Sequence, residues 1–108
     1  MAYNELLEQK IEACVDVKKL DKKKMFGGLG YLVNGNMCFG VYRDDLILRC
    51  EPEKGVDLLK NRNIRVFDIT GKPMKGWLLI DPKEWNDKKK LKGLLDIGLK
   101  FAKGLPKK

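Results

Sequence analysis

The pattern of apolar and polar positions predicts helices at both ends of the chain and strands in its middle. After Asn4, whose side chain can cap a helix, apolar residues recur at helical spacing. We expect this helix to end near the polar run at residues 18–24. Its apolar positions are Leu6, Leu7, Ile11, Cys14 and Val15.

A β-hairpin is the clearest local prediction. Asn34-Gly35 lies between two apolar runs and indicates a two-residue type I′ turn, because both central residues of that turn need positive φ. In this register Tyr31 pairs with Cys38. A second turn at residues 44–45 adds a third strand.

The two faces of this predicted three-stranded meander differ. Strand alternation places one strongly apolar set on a face that needs covering helices. That set comprises Leu32, Met37, Phe39, Val41, Leu46, Leu48 and Cys50. The opposite face is mixed, yet too apolar and aromatic for a plain solvated face, so we predict a contact surface there. Its candidate interface residues are Leu29, Tyr31, Val33, Cys38, Tyr42, Ile47 and Arg49.

The rest of the chain predicts a short helix at residues 53–60, strands at 64–69 and 74–81, and a final helix that Asp87 can cap. The last helix carries an apolar face opposite a lysine-rich one. The order is therefore α-β-β-β-α-β-β-α. We expect an α+β fold whose antiparallel sheet is covered on one face by helices, in one domain spanning residues 1–108.

The amino-acid composition excludes several kinds of catalytic and metal-binding site. The chain has 108 residues, of which 44% are apolar and 35% charged, as in a folded globular domain, and it has no histidine. Ser-His and Cys-His nucleophile pairs and imidazole metal ligands are therefore excluded, and we expect no metal and no cofactor. The N-terminus lacks the pattern of a signal peptide, and no apolar run is long enough to cross a membrane, so we expect a cytoplasmic protein.

The three cysteines predict no disulfide. Their odd number and the absence of a C-x-x-C pair fit reduced thiols. Cys38 and Cys50 fall on opposite faces of the predicted meander, and Cys14 lies on the apolar side of a helix. We interpret all three as small buried hydrophobic residues.

Positive charge is concentrated in the second half of the chain. Residues 1–54 carry 9 basic and 9 acidic residues, whereas residues 55–108 carry 14 and 6, which gives the net charge of +8. Such a surface attracts nucleic acid, although lysines also serve solubility. Trp77 beside lysines could stack a base or anchor the core, and lysines at the start of the last helix face the unfavourable end of its dipole. The candidate anion contacts are Lys72, Lys75, Trp77, Lys88, Lys89, Lys90 and Lys92.

A glycine-rich stretch at residues 27–30 has two interpretations. Its backbone N–H groups could hold a phosphate, but it leads into a strand rather than into a helix N-terminus. We favour a bend that lets the strand cross the sheet closely. The carboxylates are not clustered as an acid–base pair; Glu5, Glu8 and Glu12 fit a solvated helix face.

Two sequence blocks resemble the TfoX N-terminal domain family. The first is the signature Met25, Phe26, Gly27 and Gly28, with the meander that follows it. The second is the stretch Gly-Lys-Pro-Met-Lys-Gly-Trp at residues 71–77 together with the closing helix. The resemblance covers nearly the whole chain.

The resemblance implies an α+β domain without known catalytic residues, often dimeric, related to bacterial competence regulators that act with the cyclic-AMP receptor protein. This sequence ends at Lys108 without the C-terminal helical domain of those regulators, so the pathway is left open. We expect a non-enzymatic homodimer that contacts protein partners in transcription. The alternative is direct nucleic-acid binding through the basic second half. Enzymatic activity would require catalytic Lys, Cys, Tyr or carboxylate groups with shifted pKa values.

Overall fold

The structure is a computed structural model that describes residues 3–25, 27–68 and 76–106. In chain order the elements are α1 (Glu5–Cys14), a 3₁₀ turn (Val17–Lys19), β1 (Asp21–Met25), β2 (Gly28–Val33), β3 (Asn36–Tyr42), β4 (Asp45–Arg49), α2 (Pro52–Leu58), β5 (Ile64–Val66), β6 (Trp77–Ile80), α3 (Pro82–Trp85) and α4 (Lys88–Lys103).

One antiparallel sheet and the helices on one of its faces form the fold. The strands lie in the order β1-β2-β3-β4-β6-β5, and each neighbouring pair is antiparallel. The helices bury their apolar residues against this face, which confirms the predicted α+β class. We call the resulting cluster the helix-side core; it includes Leu7, Ile11, Leu29, Tyr31, Cys38, Phe39, Val41, Leu46, Leu48, Cys50, Ile64, Leu78, Ile80, Trp85, Leu91, Leu94, Leu95 and Ala102.

The first helix forms as predicted. The side-chain oxygen of Asn4 accepts a hydrogen bond of 3.1 Å from the backbone N–H of Leu7, which satisfies one of the free donors of the first turn. Leu7 and Ile11 are buried, but Leu6 is half-exposed and does not belong to the core face.

Two elements were absent from the predicted order. Strand β1 occupies the polar run after α1, where alternating hydrophobicity gives no signal because four of its five residues are exposed at the sheet edge. Helix α3 is a single turn capped by Asp81, whose carboxylate accepts a bond of 2.9 Å from the N–H of Lys83. Its Trp85 is buried, and the indole N–H donates to the carbonyl oxygen of Asp44 at 2.9 Å.

The Asn34-Gly35 hairpin is confirmed, with a register change that the sequence did not reveal. Both turn residues have positive φ, 54° and 81°. The pairing of Leu32 with Met37 is as predicted, but Tyr31 then pairs with Phe39 instead of Cys38. Cys38 is thus an extra residue in β3, as in a β-bulge.

The bulge exchanges the faces of β2 relative to the prediction. Leu29, Tyr31 and Cys38 were expected on the mixed outer face but lie in the helix-side core. Leu32 and Met37 were expected toward the helices but lie on the other face. A one-residue change of register moves every following side chain to the opposite face, so a single bulge is sufficient to cause this exchange.

The second turn is also displaced, but the faces of β4 are kept. Arg43, with φ of 54°, lies in the turn, and Tyr42 pairs with Asp45. Val41 therefore pairs with Leu46 rather than with Leu48. A shift of two residues leaves each side chain on its predicted face.

The later elements agree with the prediction where the structure describes them. The predicted helix at 53–60 appears as α2, and the strand at 64–69 as the shorter β5. The predicted start of the following strand and its preceding loop lie outside the described residues; β6 begins at Trp77. Asp87 caps α4 by accepting from the N–H groups of Lys89 and Lys90.

A second, smaller apolar cluster lies on the sheet face away from the helices. We call it the outer-face cluster; it consists of Leu32, Met37, Ile47, Phe67 and Leu79, with Met25, Tyr42 and Trp77 packed against it. Ile47 is fully buried here. Buried apolar side chains therefore lie on both faces of the sheet near its centre.

Candidate functional site

The predicted anion-contact residues that the structure describes do not form one surface. Lys72 and Lys75 lie outside the described residues. Trp77 lies near Phe101, because the guanidinium of Arg49 lies over both rings. Lys88 begins the same helix thirteen residues before Phe101, about 20 Å away at 1.5 Å per residue. The structure thus separates Trp77 from the lysines of the first turns of α4.

These lysines have different surroundings. The ammonium of Lys90 lies 3.7 Å from a carboxylate oxygen of Glu84, and that of Lys92 lies 3.6 Å from Asp96. Lys88 and Lys89 are exposed and form no ion pair within the described part of the chain. Asp87, as the cap residue, supplies the negative charge that the helix N-terminus favours.

Arg49, at the end of β4, forms the centre of an aromatic cluster. Its guanidinium carbon lies 5.0 Å from the ring centroid of Trp77 and 5.3 Å from that of Phe101, within cation–π distance. Trp77 in turn packs on Phe67, with the ring centroids 5.8 Å apart. The sequence prediction placed Arg49 in an interface and Trp77 in an anion site; the structure puts them in one cluster.

This guanidinium lacks a counter-charge among the residues that the structure describes. No carboxylate there forms an ion pair with it, and it makes no hydrogen bond to them. Burial lowers the pKa of Arg49 from its usual value, because desolvation disfavours the charged form. A partly desolvated arginine retains five donors for an external acceptor.

A groove of about 530 Å³ adjoins the Arg49 cluster through Phe101. Its lining residues are Glu51, Lys54, Ile97, Lys100, Phe101, Gly104 and Leu105. The sequence-based prediction did not include this groove. Ile97, Phe101 and Leu105 nevertheless recur every four residues as a second apolar stripe beside the core stripe of α4. That spacing is the signal that could have found it.

A second groove lies between α2 and α4 and mixes both signs of charge. Asp57, Lys60, Lys89 and Lys90 line it together with Glu84. Glu84 is buried and accepts a hydrogen bond of 3.1 Å from the side-chain amide of Asn63. Hydrogen bonds from Asn63 and Asn61 lower the pKa of Glu84, so this carboxylate is occupied by partners within the chain.

The predicted interface set is largely buried within the chain. Leu29, Tyr31, Cys38 and Ile47 are at most 2% exposed. They supply no exposed contact area. Val33, Tyr42 and Arg49 are partly buried, so the prediction of an interface rests on these three.

Tyr31 belongs instead to a charged network that connects α1 to the sheet. Its hydroxyl donates to the Glu12 carboxylate at 2.9 Å, and the Lys22 ammonium donates to the same oxygen at 2.7 Å. Lys22 also pairs with Glu8. The interpretation of Glu8 and Glu12 as a purely solvated face was wrong, because β1 places a lysine between them.

The pKa values of Glu12, Tyr31 and Lys22 shift in the directions that their contacts predict. The hydrogen bond from Lys22 is the largest cause that lowers the pKa of Glu12, and burial raises the pKa of Tyr31. Burial by itself would lower the pKa of Lys22, but its bonds to Glu12 and Glu8 outweigh burial and raise it. These shifts favour the ionised forms of Glu12 and Lys22 and the neutral form of Tyr31.

The cysteines form no bond with one another. All three thiols are free, and Cys38 and Cys50 are buried. Their prediction on opposite faces was wrong, because the bulge brings Cys38 into the helix-side core with Cys50. The Cys38 thiol donates to the carbonyl oxygen of Tyr31 at 3.1 Å, and burial raises its pKa to about 11.

The glycines at residues 27–30 allow neighbouring chain segments to approach closely. Gly27 has a φ of 75°, and a Cβ on Gly28 would collide with the carbonyl oxygen of Val41. A Cβ on Gly30 would collide with the side chain of Met25. This supports the bend that we favoured over a phosphate loop. Phe26, the remaining signature residue, lies outside the described residues.

Neither a metal centre nor a membrane span is found in the described part of the chain. It contains no group of three or more acidic or cysteine side chains placed to hold a metal ion. None of its helices is long and apolar enough to cross a bilayer.

The structure defines a small α+β domain, with a six-stranded antiparallel sheet and helices on one of its faces. The chain belongs to the TfoX N-terminal domain family, whose sequence model matches residues 12–102. Domains of this family are regulatory and binding domains. Among curated proteins, no sequence matches the chain.

Proposed function

We propose that this protein is a non-enzymatic regulatory domain that acts in transcription, in the cytoplasm, by binding protein partners, and that it forms a homodimer. Membership of the TfoX N-terminal domain family carries the proposal, because it supports a regulatory domain of that type. The basic groove beside Arg49 supplies a surface on which a partner could bind.

The directions of the pKa shifts argue against nucleophilic catalysis by Cys38, Cys50 and Tyr31. Burial raises the pKa of Cys38 and of Cys50, and burial also raises that of Tyr31. An activated nucleophile needs the opposite shift, since the deprotonated form reacts. These three groups are thus stabilised in their protonated, unreactive forms.

The partner proposal is tested by affinity capture from a lysate of the source organism, with and without nuclease. We expect the same proteins to be captured in both arms, because the contacts are between proteins. If capture is lost after nuclease treatment, nucleic acid bridges the partners and the proposal fails in this form.

Homodimerisation is supported by the family resemblance. Sedimentation velocity over a range of micromolar concentrations tests it, and we expect a species of twice the chain mass. A monomer throughout that range contradicts the dimer and leaves the partner proposal intact.

Direct nucleic-acid binding is the second candidate function. Lys88 and Lys89 favour it, because both are exposed at the start of α4 and neither has an ion-pair partner in the described part of the chain. The base-stacking part of this prediction places Trp77 beside Lys72 and Lys75, which lie outside the described residues. Lys88 and Lys89 by themselves would contact phosphates.

A further inference from the structure

We propose that the groove beside Arg49, lined by Lys54 of α2 and by the end of α4, binds an acidic, partly apolar segment of a partner protein, with Arg49 as the residue that binds its carboxylate. This inference rests on the proposed function, because it specifies the chemistry of the protein partner. It commits to an extended peptide segment rather than to nucleic acid or a second copy of the chain.

The first argument is the state of Arg49. Its side chain is partly buried, it lies over the rings of Trp77 and Phe101, and no carboxylate in the described part of the chain neutralises it. Removing a charge from water without a partner is costly. The two rings also restrict the orientation of the guanidinium, which prepares it for the bidentate contact that a carboxylate makes with arginine.

The second argument is the lining of the groove. Phe101 belongs both to the Arg49 cluster and to the lining of the groove. Arg49 itself does not line the groove, so the bound segment has to extend past Phe101 to reach the guanidinium. Ile97 and Leu105 extend the apolar surface along α4. Lys54 and Lys100 add two positive charges, against one negative charge from Glu51. A segment with carboxylates beside apolar side chains complements this surface in charge and polarity.

The third argument separates a peptide from nucleic acid. Base stacking needs an open aromatic face, but the Trp77 ring is engaged by Phe67 and by Arg49. Glu51 in the lining repels a phosphate chain. Carboxylates on a flexible peptide can be spaced to avoid Glu51, whereas the phosphates of a nucleic acid recur at a fixed short spacing.

The test uses fluorescence anisotropy with a short labelled peptide of alternating Asp, Leu and Phe residues. A matched peptide has Asn in place of every Asp, and a labelled DNA duplex is the third probe. For the full-length protein we expect the Asp peptide to bind about tenfold more tightly than the Asn peptide, because the carboxylate contact to Arg49 is charge-assisted.

The variants locate the binding. Arg49→Gln should weaken binding of the Asp peptide about tenfold or more, since it removes the partner of a desolvated carboxylate. Arg62→Gln is the matched control at an exposed arginine and should leave the affinity unchanged. If Arg49→Gln unfolds the protein, the double variant Lys54→Gln/Lys100→Gln, at two exposed positions, replaces it. That double variant should weaken binding about two- to tenfold, and less at high salt.

Three results overturn the inference. Equal binding of the Asp and Asn peptides excludes carboxylate recognition. Unchanged binding in folded Arg49→Gln places the peptide elsewhere. Binding of the duplex alone, weakened by the same variants, makes this a nucleic-acid site.

Capture from the lysate distinguishes failure of this inference from failure of the proposed function. If wild-type protein and Arg49→Gln capture the same nuclease-resistant partners, the groove proposal fails while the partner proposal stands. If wild-type protein captures none, the proposed function itself fails.

Discussion

Tyr31 shows at the scale of one residue how the core and the surface are joined. Its ring is fully buried and packs on Phe39, with centroids 5.4 Å apart, while its hydroxyl reaches Glu12 on α1. A buried hydroxyl needs such a partner, because an unsatisfied one costs free energy. The sequence indicated an aromatic strand residue, but not its partner, which lies 19 positions away.

Replacing Tyr31 with Phe tests the value of this contact. We expect Tyr31→Phe to lower the free energy of unfolding by about 1–2 kcal/mol at neutral pH, because a hydrogen bond to a charged group is lost. Tyr42→Phe is the control: its hydroxyl makes no hydrogen bond to the described residues, so a change below about 0.5 kcal/mol is expected. Urea denaturation measures both.

The effect of Tyr31→Phe should depend on pH in a defined direction. The pKa of Glu12 is lowered in the folded state, chiefly by its bond with Lys22. Its contribution to stability is therefore complete above the unfolded-state pKa and is lost as the pH falls through the lower folded-state value. We expect the difference between Tyr31→Phe and wild type to shrink below about pH 4. A constant difference down to pH 2 contradicts this assignment.

Cys38 yields a second prediction at the residue scale. With a pKa of about 11, only about one thiol in a thousand is ionised at pH 8. We expect Cys38 to resist iodoacetamide in the native protein and to react after denaturation, while the partly exposed Cys14 reacts in both states. Mass spectrometry of the labelled peptides measures this. Rapid native labelling of Cys38 would falsify its burial.

The bulge in β3 is the decisive feature at the scale of elements. The positions of the hairpin, of α1 and of α4 follow from caps and turn residues that act locally. The bulge does not, because no residue type specifies it in the way that Asn-Gly specifies a type I′ turn. It accompanies a contact from α4, where a Cβ on Gly98 would collide with the carbonyl oxygen of Cys38.

Two glycines of α4 form a matched test of this contact. Gly98→Ala should lower the free energy of unfolding by about 1–3 kcal/mol, because the added methyl group meets backbone that has little room to move. Gly93→Ala should raise it by about 0.5–1 kcal/mol, since no atom lies near its Cβ and alanine favours the helix. Thermal and urea denaturation measure the pair. Stabilisation by both substitutions would show that helix propensity, not packing, dominates at Gly98.

At the scale of the whole molecule, the distribution of charge decides where an anion can bind. The net charge of +8 suggested one basic surface in the second half of the chain. In the structure, Lys88 and Lys89 lie at one end of α4, and Arg49 with Lys100 lies toward the other. Helix geometry therefore divides the basic residues into two regions with different surroundings.

Salt dependence tests the region at the start of α4. If Lys88 and Lys89 contact phosphates, the double variant Lys88→Gln/Lys89→Gln should reduce the slope of log affinity against log salt by about 1.8 on duplex DNA. Lys18→Gln/Lys19→Gln removes the same charge from another exposed site and should leave the slope unchanged. Absence of duplex binding at low salt in the wild type rules out the nucleic-acid function.

The α+β class, the capped helices and the Asn34-Gly35 turn could be predicted from the sequence, because caps and turns are local interactions among neighbouring residues. Tertiary structure decided the faces of β2, the course of β1 and the meeting of Arg49 with Trp77 and Phe101. These depend on contacts between residues far apart in the chain. A one-residue bulge reverses a face without changing composition, so only the packed sheet could show which side chains are exposed.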